Sequence, residues 1–387
     1  MDIEAHRSTI EAWLILLRAP GLGPAAIREL VTRHGSAPAA VGVARRQAGH
    51  DGANAASASW LRSPDRTRID EDLRWLAATD HTLLTFDRAD DFPELLAEIP
   101  SAPAALFVAG DAAALWRPQI SVVGSRNASH AGLANATAFA RALASAGFAI
   151  TSGLAEGIDG AAHEAALAVG ATTIAVLGTG PDRVYPTSHR DLAARICAHG
   201  ALVSEFPPGT PAQASHFPRR NRLIAGLGLG TLVVEASLRS GSLITARNAI
   251  DAGREVFAIP GSIHHPLSRG CHELIRNGAR LVESAEEVVA ELAPLALRWG
   301  ASVQQRLAPS EGVAAPAARP KRSNRIDDPD YRALFDALDH DAVGIDQLSR
   351  RSGLDVSALS SMLLMLELEG DVVATPGGGY ARRIEPR

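Results

Sequence analysis

The sequence predicts an α/β protein built on a doubly wound, mostly parallel sheet, with a helical domain before it and a winged helix after it. Between residues about 79 and 293, short apolar runs alternate with segments of helical length. Glycine-marked turns follow several of these runs, as in Gly124-Ser-Arg126. Strands that alternate with helices in this way form parallel sheets with right-handed crossovers.

Composition divides the 387 residues into four segments. Residues 1–78 are predicted to form the N-terminal helical domain, 79–293 the sheet domain, 294–326 a linker and 327–387 the winged helix. The linker is rich in Ala, Pro and Arg and cannot bury enough apolar surface to fold by itself. Two or three domains are expected for a chain of this length.

The N-terminal domain has the order helix, glycine turn, helix. Apolar residues recur at helical spacing over 11–17 and 25–31, and Pro20-Gly-Leu-Gly-Pro24 separates the two stretches. This order is typical of a helix-hairpin-helix or SAM-like domain whose turn amides can hold a DNA phosphate. It also fits a packed helix pair that binds nothing, and the few basic residues nearby favour that second interpretation.

In the sheet domain, each predicted strand of the main series leads into a helix. An extra helix and strand are expected ahead of the series, at about 91–96 and 105–108. The main strands are predicted at about 121–123, 148–151, 172–177, 201–205, 231–235, 255–259 and 280–283. The helices are predicted at about 132–145, 159–169, 189–198 and 243–252, with a closing helix after the last strand.

The last segment predicts a winged helix-turn-helix, because three helical stretches lead to a glycine-tipped hairpin. The helices are expected at about 329–338, 345–352 and 355–369. The third stretch, in the position of a recognition helix, contains three acidic residues and no Arg or Lys. Since an acidic face repels phosphate, we expect this domain mainly to contact protein.

Charge and cysteine content exclude several function classes. The net charge is −5, so any nucleic-acid surface must be a local patch. Lys321 is the only lysine, which argues against a P-loop or a Schiff base in the sheet domain. Cys197 and Cys271 offer neither a disulfide framework nor a metal cluster, so we expect a cytoplasmic protein without metal or cofactor. No apolar run approaches the roughly 20 residues that span a bilayer, so no membrane contact is expected.

Arginines and small residues lie where the predicted strands end. Gly124, Ser125 and Arg126 close one strand, and Gly153 lies in the turn after the next. The carboxyl ends of such strands meet at one edge of the sheet, where doubly wound folds bind phosphate-bearing ligands. A guanidinium such as that of Arg126 can hold a phosphate with two parallel hydrogen bonds.

The densest basic cluster of the sheet domain follows His216. An aromatic ring beside arginines suits an unpaired base that stacks while its phosphates are held alongside. The residues predicted to contact such a strand are Phe217, Arg219, Arg220, Asn221 and Arg222. Hydroxyls and amides at a further helix start, which also suit phosphate, are offered by Ser240, Gly241 and Ser242.

Glu156, Asp159 and His163 allow two interpretations. They could form an acid–base set in an enzyme. Alternatively, Asp159 caps the following helix and His163, one turn later, packs against it. We favour the structural interpretation and predict no catalytic residue.

Several of these motifs, in this order, resemble the DNA-processing protein A family, called DprA or Smf. The motifs are Gly124-Ser-Arg126, the Ser152–Asp159 turn with His163, Tyr185-Pro186, Phe217–Gly226, Ser240–Ala246 and Pro260-Gly261. The resemblance covers nearly the whole chain. It implies an extended Rossmann-like core that binds single-stranded DNA, forms a homodimer and helps to load the RecA recombinase in natural transformation.

Carried over by position, the resemblance implies that the DNA-contacting residues include Arg126, Phe217, Arg220 and Arg222. Several positions depart from the family pattern. Ala131 stands where Tyr is usual, and His189 and His272 stand where Asn is usual. Ala214 and Ser215 lack the basic residue that some members carry before Phe217.

The alternative is a nucleotide-processing enzyme, similar to the phosphoribohydrolases that use a related Rossmann-like fold. Their Pro-Gly-Gly-x-Gly-Thr-x-x-Glu signature is absent from the comparable region, Glu235 to Thr245. The one Pro-Gly-Gly run begins at Pro376, in the predicted wing. Because fold alone does not decide function, the missing carboxylate motif and the arginine cluster favour a non-enzymatic DNA-binding protein.

Overall fold

The chain divides into two compact units, Met1–Pro309 and Ser310–Arg387, and each has its own hydrophobic core. The residues that the computed structural model describes are 3–46, 55–88, 91–307, 329–338 and 343–355, with positions 359, 362–363, 366, 372–375 and 379–382 beyond them.

Helices open the first unit, which confirms the predicted N-terminal helical domain. They are α1 (Ile3–Leu17), α2 (Pro24–His34), α3 (Ala37–Arg46), α4 (Ala55–Arg62) and α5 (Arg66–Leu76). The buried side chains of α1, among them Trp13 and Leu16, share one apolar cluster with Phe107 of the sheet. The helical layer therefore packs directly on the sheet.

The sheet of the first unit has nine strands in the order β1-β2-β6-β5-β4-β3-β7-β8-β9. They are β1 (His81–Thr85), β2 (Ala105–Gly110), β3 (Gln119–Val123), β4 (Ala149–Ser152), β5 (Thr173–Val176), β6 (Ala201–Ser204), β7 (Gly230–Val233), β8 (Glu255–Ala258) and β9 (Arg280–Leu281). The pairs β1–β2 and β2–β6 are antiparallel, and the remaining pairs are parallel. This confirms the predicted mostly parallel sheet, and β1 is a strand that the sequence did not predict.

The chain winds in both directions from β3. Strands β4 to β6 extend the sheet on one side of β3, and β7 to β9 extend it on the other side. The topological switch point therefore lies between β3 and β7, and ligands of doubly wound folds bind in the crevice outside such a point.

Helices cover both faces of the sheet. They are α6 (Glu94–Ala97), α7 (His130–Ser145), α8 (Ile158–Ala168), α9 (Arg190–His199), α10 (His216–Leu227), α11 (Ser242–Asp251), α12 (Arg269–Arg276) and α13 (Ala285–Leu307). Because side chains alternate along a strand, Ile120 and Val122 of β3 join the apolar cluster on one face, whereas Val123 joins the cluster on the other.

Helix α13 continues into the segment that composition predicted as linker. It passes through Pro294 and ends at Leu307. The reason is apolar packing: Leu295 and Trp299 lie against the core, and Trp299 Nε1 donates to the carbonyl oxygen of Trp116 at 3.2 Å. Residues 308–326 of the predicted linker lie outside the described residues, and the four-segment division stays a prediction.

The second unit combines helices with a small antiparallel sheet, as expected for a winged helix. Its described elements are α14 (Pro329–Ala337), α15 (Ile345–Ser352), β10 (Val343–Gly344), β11 (Val372–Thr375) and β12 (Gly379–Arg382), with sheet order β10-β12-β11. Leu359, Met362, Leu363 and Leu366 are buried in its core. Most of the predicted recognition helix 355–369 and the wing tip 376–378 lie outside the described residues.

Three further findings concern the described part of the chain. None of its helices is long and apolar enough to cross a membrane. In the same residues, no group of three or more His, Cys, Asp or Glu side chains is placed to hold a metal ion. Cys197 and Cys271 are free cysteines.

Candidate nucleic-acid interface

An open pocket lies where β3, β4 and β5 end, beside the start of α10. This is the edge of the sheet at which the sequence predicted an anion site. The residues that line the pocket are Arg126, Gly153, Ala155, Glu156, Tyr185, Pro186, Phe217 and Arg220.

Phe217 forms an aromatic wall of the pocket. The guanidinium carbon of Arg126 lies 5.5 Å from the centroid of the Phe217 ring. The Tyr185 ring lies 5.5 Å away, centroid to centroid, at an interplanar angle of 45°. Tyr185 is 48% exposed and Arg126 is also exposed, so an aromatic surface and a free-standing cation meet at the mouth of the pocket.

The turn after β3 presents Arg126 and uses its other two residues for structure. Gly124 packs so closely on Ile158 that an added Cβ would lie 2.6 Å from Ile158 Cγ1. The Ser125 amide donates to the carbonyl oxygen of Glu235 at 2.8 Å. The Ser125 amide is therefore bonded within the protein, and Arg126 is the polar side chain that the turn leaves exposed.

Arg220 is a buried part of the pocket, with only 4% of its surface exposed. Its Nη1 donates to the carbonyl oxygen of Gly153 at 2.7 Å and to that of Val176. A Cβ at Gly153 would lie 2.7 Å from Arg220 Nη2, so glycine leaves the space that the guanidinium occupies. Burial lowers the pKa of Arg220 to about 10, which still leaves it charged at neutral pH, and Asp159 opposes the shift.

Asp159 stabilises the turn after β4 and does not cap α8. The N-cap residue of α8 is Gly157, and the Asp159 carboxylate accepts from the amides of Gly153 at 3.0 Å and Ala155 at 3.4 Å. The reason is the φ of +78° at Gly157, where an added Cβ would lie 2.3 Å from the Ser125 carbonyl oxygen. Burial raises the pKa of Asp159, and Arg220 opposes that rise.

His163 forms its hydrogen bond with Thr173. The Thr173 hydroxyl donates to the carbonyl oxygen of Ile150, so its oxygen accepts from His163 Nδ1 at 2.7 Å. Burial lowers the pKa of His163 to about 3. Because Glu156 is exposed while Asp159 and His163 are buried, the three side chains do not form an acid–base set in one accessible site.

Helix α10 distributes the predicted basic cluster over two faces. Phe217 and Arg220, three residues apart, both line the pocket. Arg219 and Arg222, also three residues apart, lie on another face, because neighbours at this spacing share a side of the helix. The guanidinium carbon of Arg219 lies 5.5 Å from the centroid of the Phe206 ring.

Arg222 is paired within the protein. Its Nη2 lies 2.5 Å from both carboxylate oxygens of Glu205, and the two side chains are 13% and 7% exposed. Its Nη1 is buried and has no hydrogen-bond partner among the described residues. The structure therefore places Arg222, one of the residues predicted to contact DNA, outside the lining of the pocket.

Asn221 and the turn Ser240–Ser242 lie beside the pocket and do not line it. Asn221 Nδ2 donates to the carbonyl oxygen of Gly241 at 3.3 Å, and Asn221 Oδ1 accepts from Arg220 Nε at 3.2 Å. The hydroxyl oxygens of Ser240 and Ser242 lie 2.7 Å apart. These contacts join the starts of α10 and α11.

Four lining residues of the pocket, Ala155, Glu156, Tyr185 and Pro186, were not among the predicted site residues. Tyr185 entered the analysis only as part of a family motif, and Glu156 only as a candidate acid. Glu156 adds a carboxylate that Ser188 Oγ approaches at 3.4 Å. With Arg126 and Arg220 opposite one carboxylate, the charged side chains that line the pocket sum to a positive charge beside two aromatic rings.

A family model described as DNA recombination-mediator protein A matches residues 83–293, more than half of the chain. The chain belongs to this family. Models of the DprA winged helix domain and the DprA-like N-terminal HHH domain match residues 315–378 and 8–59. The DprA assignment of the resemblance is thereby confirmed for the sheet domain and both flanking domains.

DprA and Smf proteins from several bacteria are similar to this chain. Protein Smf of Escherichia coli is 44% identical over 321 residues, 82% of this chain and 81% of its own. The crystal structure of DprA from Streptococcus pneumoniae is 37% identical, with a TM-score of 0.65, and the match covers 73% of this chain and 97% of that one. DprA from Helicobacter pylori, solved for its single-stranded DNA binding mode, is 26% identical with a TM-score of 0.50 over 55% of this chain and 96% of that one.

Ala131, His189 and His272, which depart from the DprA pattern, lie in different parts of the structure. Ala131 is exposed near the start of α7, and His272 is half-buried on α12. His189 Nδ1 lies 3.0 Å from the carbonyl oxygen of Leu154, to which it donates. Since Leu154 lies between Gly153 and Ala155 in the pocket turn, His189 is the departure that adjoins the site.

Proposed function

We propose that this protein binds single-stranded DNA in the Phe217 pocket and does so without catalysing a reaction. The observation that carries the proposal is the position of the exposed Arg126 guanidinium 5.5 Å from the Phe217 ring, with the Tyr185 ring alongside. Aromatic rings stack on bases whatever their sequence, and a guanidinium binds phosphate through paired donors. Such a pocket accepts a base only when that base is free of a duplex.

The family supports the same ligand. DprA from Helicobacter pylori binds single-stranded DNA, and the pneumococcal relative is a DNA processing protein. We further propose that this protein acts in the cytoplasm as a homodimer, protects incoming DNA, and helps to load RecA in DNA uptake and recombination. These finer points rest on the resemblance to DprA.

A binding titration with labelled oligonucleotides tests the proposal. We expect preference for single strands over duplex of the same length and little dependence on sequence. With about three to five phosphates neutralised, log K against log salt should have a slope of roughly −2 to −4. Arg126→Lys keeps the charge but loses the planar fork, so affinity should fall by about 1 kcal/mol or more.

The matched control is Arg141→Ala, which removes one exposed arginine from α7 away from the pocket. It should bind like the parent, whereas Arg126→Ala should bind more weakly. Equal affinity of the Arg126→Ala variant and the parent, or equal affinity for duplex and single strand, would contradict the proposed site. Release of adenine from AMP, measured beside the titration, would favour the phosphoribohydrolase-like alternative.

A further inference from the structure

A buried ion pair inside the N-terminal helical domain also contacts a loop of the sheet domain. Arg18, directly after α1, donates through Nε and Nη2 to the two carboxylate oxygens of Asp72 in α5, at 2.5 and 2.6 Å. Arg18 Nη2 also donates to the carbonyl oxygen of Pro208 at 2.8 Å. Asp72 is fully buried and Arg18 is 12% exposed. One guanidinium therefore connects α1, α5 and the loop between β6 and α10.

That loop, residues 205–215, is braced against the loop after β5, residues 177–186. The amide of Gly209 donates to Asp182 Oδ1 at 2.7 Å. The amide of Gly180 donates to the carbonyl oxygen of Thr210 at 2.9 Å. Two hydrogen bonds thus brace the two loops against each other, and Pro208 precedes Gly209, which makes the first of them.

The two aromatic rings of the pocket lie at the far ends of these loops. Tyr185 belongs to the 177–186 loop, and Phe217 is the second residue of the helix that the 205–215 loop enters. The rings lie 5.5 Å apart. A displacement of one loop relative to the other would change the distance between the two rings.

We propose that Arg18 is a positioning residue for the DNA pocket, through which the N-terminal helical domain holds the two braced loops and so sets the spacing of Tyr185 and Phe217. The inference rests on the proposed function and gives the N-terminal domain a role in binding that needs no contact with DNA. A held loop has already lost its conformational freedom before the ligand arrives, which improves affinity without adding a contact.

The geometry of Arg18 makes its guanidinium hard to replace. A planar fork binds both carboxylate oxygens and still has an N–H directed at the Pro208 carbonyl, whereas a lysine ammonium is a point charge on a flexible stem. Burial raises the pKa of Asp72, and the hydrogen bond from Arg18 opposes the rise. Removal of Arg18 therefore leaves a buried carboxylate without its partner as well as an unheld loop.

The test compares Arg18→Gln and Arg18→Lys with a matched ion-pair control, Arg66→Gln. Arg66 of α5 lies 3.2 Å from Glu11 of α1, so it joins the same two helices at an exposed site without reaching the loop. Hydrogen exchange of the DNA-free protein is measured over 205–215 and 177–186, followed by single-strand affinity and its salt slope.

We expect faster exchange in both loops for Arg18→Gln, with little change in the central sheet. Affinity should fall roughly three- to tenfold because the loops must now be ordered on binding. The salt slope should stay that of the parent, since Arg18 touches no phosphate. Arg18→Lys should lie between the parent and Arg18→Gln. Arg66→Gln should match the parent in all three measurements.

Three results would overturn the inference. Unchanged loop exchange in both Arg18 variants would show that Arg18 does not hold the loops. Faster exchange with parental affinity would show that their order does not matter for binding. A slope reduced by about 0.7 would make Arg18 a direct phosphate contact. If Arg126→Ala leaves binding intact, the proposed function fails instead, while loop exchange still reports on the Arg18 contact.

Discussion

Arg220 Nη1 lies 2.7 Å from the carbonyl oxygen of Gly153, in the space that a side chain at position 153 would fill. This relationship ties α10 to the turn after β4 and makes Arg220 the floor of the pocket. It separates two kinds of arginine in one site: Arg220 is bonded within the fold, and Arg126 stands exposed at the mouth. The two should respond differently to the same substitution.

The first prediction is that Arg220→Lys destabilises the protein by about 2–4 kcal/mol. A lysine cannot reproduce the fork, so buried carbonyl groups lose their donor and Asp159 loses a close partner. Urea unfolding measures the effect. Arg126→Lys, an exposed substitution, should change the free energy of unfolding by no more than about 0.5 kcal/mol. Equal unfolding midpoints for the two variants would refute the structural role of Arg220.

The second prediction concerns Arg222 and Glu205. Glu205→Gln should cost about 2–4 kcal/mol of stability, because it leaves the buried Arg222 guanidinium without its counter-ion. The double variant with Arg222→Gln should lose less than the sum of the two single losses, as coupled neighbours do. A double-mutant cycle by urea unfolding measures the coupling. Strict additivity would show that the pair is not formed in solution.

The third prediction is a pH dependence from His163. Its folded-state pKa of about 3 lies below the usual 6.5. Between pH 3 and pH 6.5 the unfolded chain therefore binds a proton at this histidine that the folded protein does not bind. Stability should therefore be fully present above pH 6.5 and fall as the pH drops, by about 1.4 kcal/mol per pH unit from this group.

The variant His163→Gln cannot take up that proton. Its unfolding free energy should fall less than that of the parent between pH 6.5 and 5, by a difference of about 2 kcal/mol. The exposed His199 serves as control, and His199→Gln should follow the parent. Parallel curves for His163→Gln and the parent would mean that His163 is not buried in its neutral form.

The fourth prediction is that Glu156→Gln raises affinity for single-stranded DNA roughly two- to fivefold at low salt. The carboxylate lines a pocket that we propose for a polyanion, so its removal relieves repulsion. The gain should shrink as salt is added. Glu164→Gln changes the net charge equally on α8, where Glu164 pairs with Arg195 away from the pocket, and should have less effect. An unchanged or weaker affinity for Glu156→Gln would place the strand elsewhere.

Most of the sheet could be predicted because its strands are short apolar runs that end in small residues, and parallel topology alone then brings Arg126 and Gly153 to one edge. The split of the basic cluster could not be predicted without the start of α10. A shift of one residue in that start would turn Arg219 in place of Arg220 toward the pocket, since each residue rotates the side chain by about 100°.

Other differences arise from tertiary packing. Pro294 marks a helix boundary in a sequence, yet α13 passes through it because Leu295 and Trp299 reach the core. Asp is a residue type that often caps a helix, yet Gly157 is the N-cap of α8. The Asp159 carboxylate instead accepts from the amides of Gly153 and Ala155. The residues that cause these differences are brought together by the tertiary fold and are not visible in the short stretch of sequence around each element.

The most direct test of the central claim is a crosslinking map of a bound oligonucleotide. A single strand substituted with 5-iodouracil is bound at low salt, irradiated and digested, and the modified peptides are identified by mass spectrometry. We expect adducts on Tyr185 and Phe217. The Phe217→Leu variant should give no adduct at position 217. Adducts confined to the N-terminal helices or to residues 327–387, with neither pocket ring modified, would contradict the account.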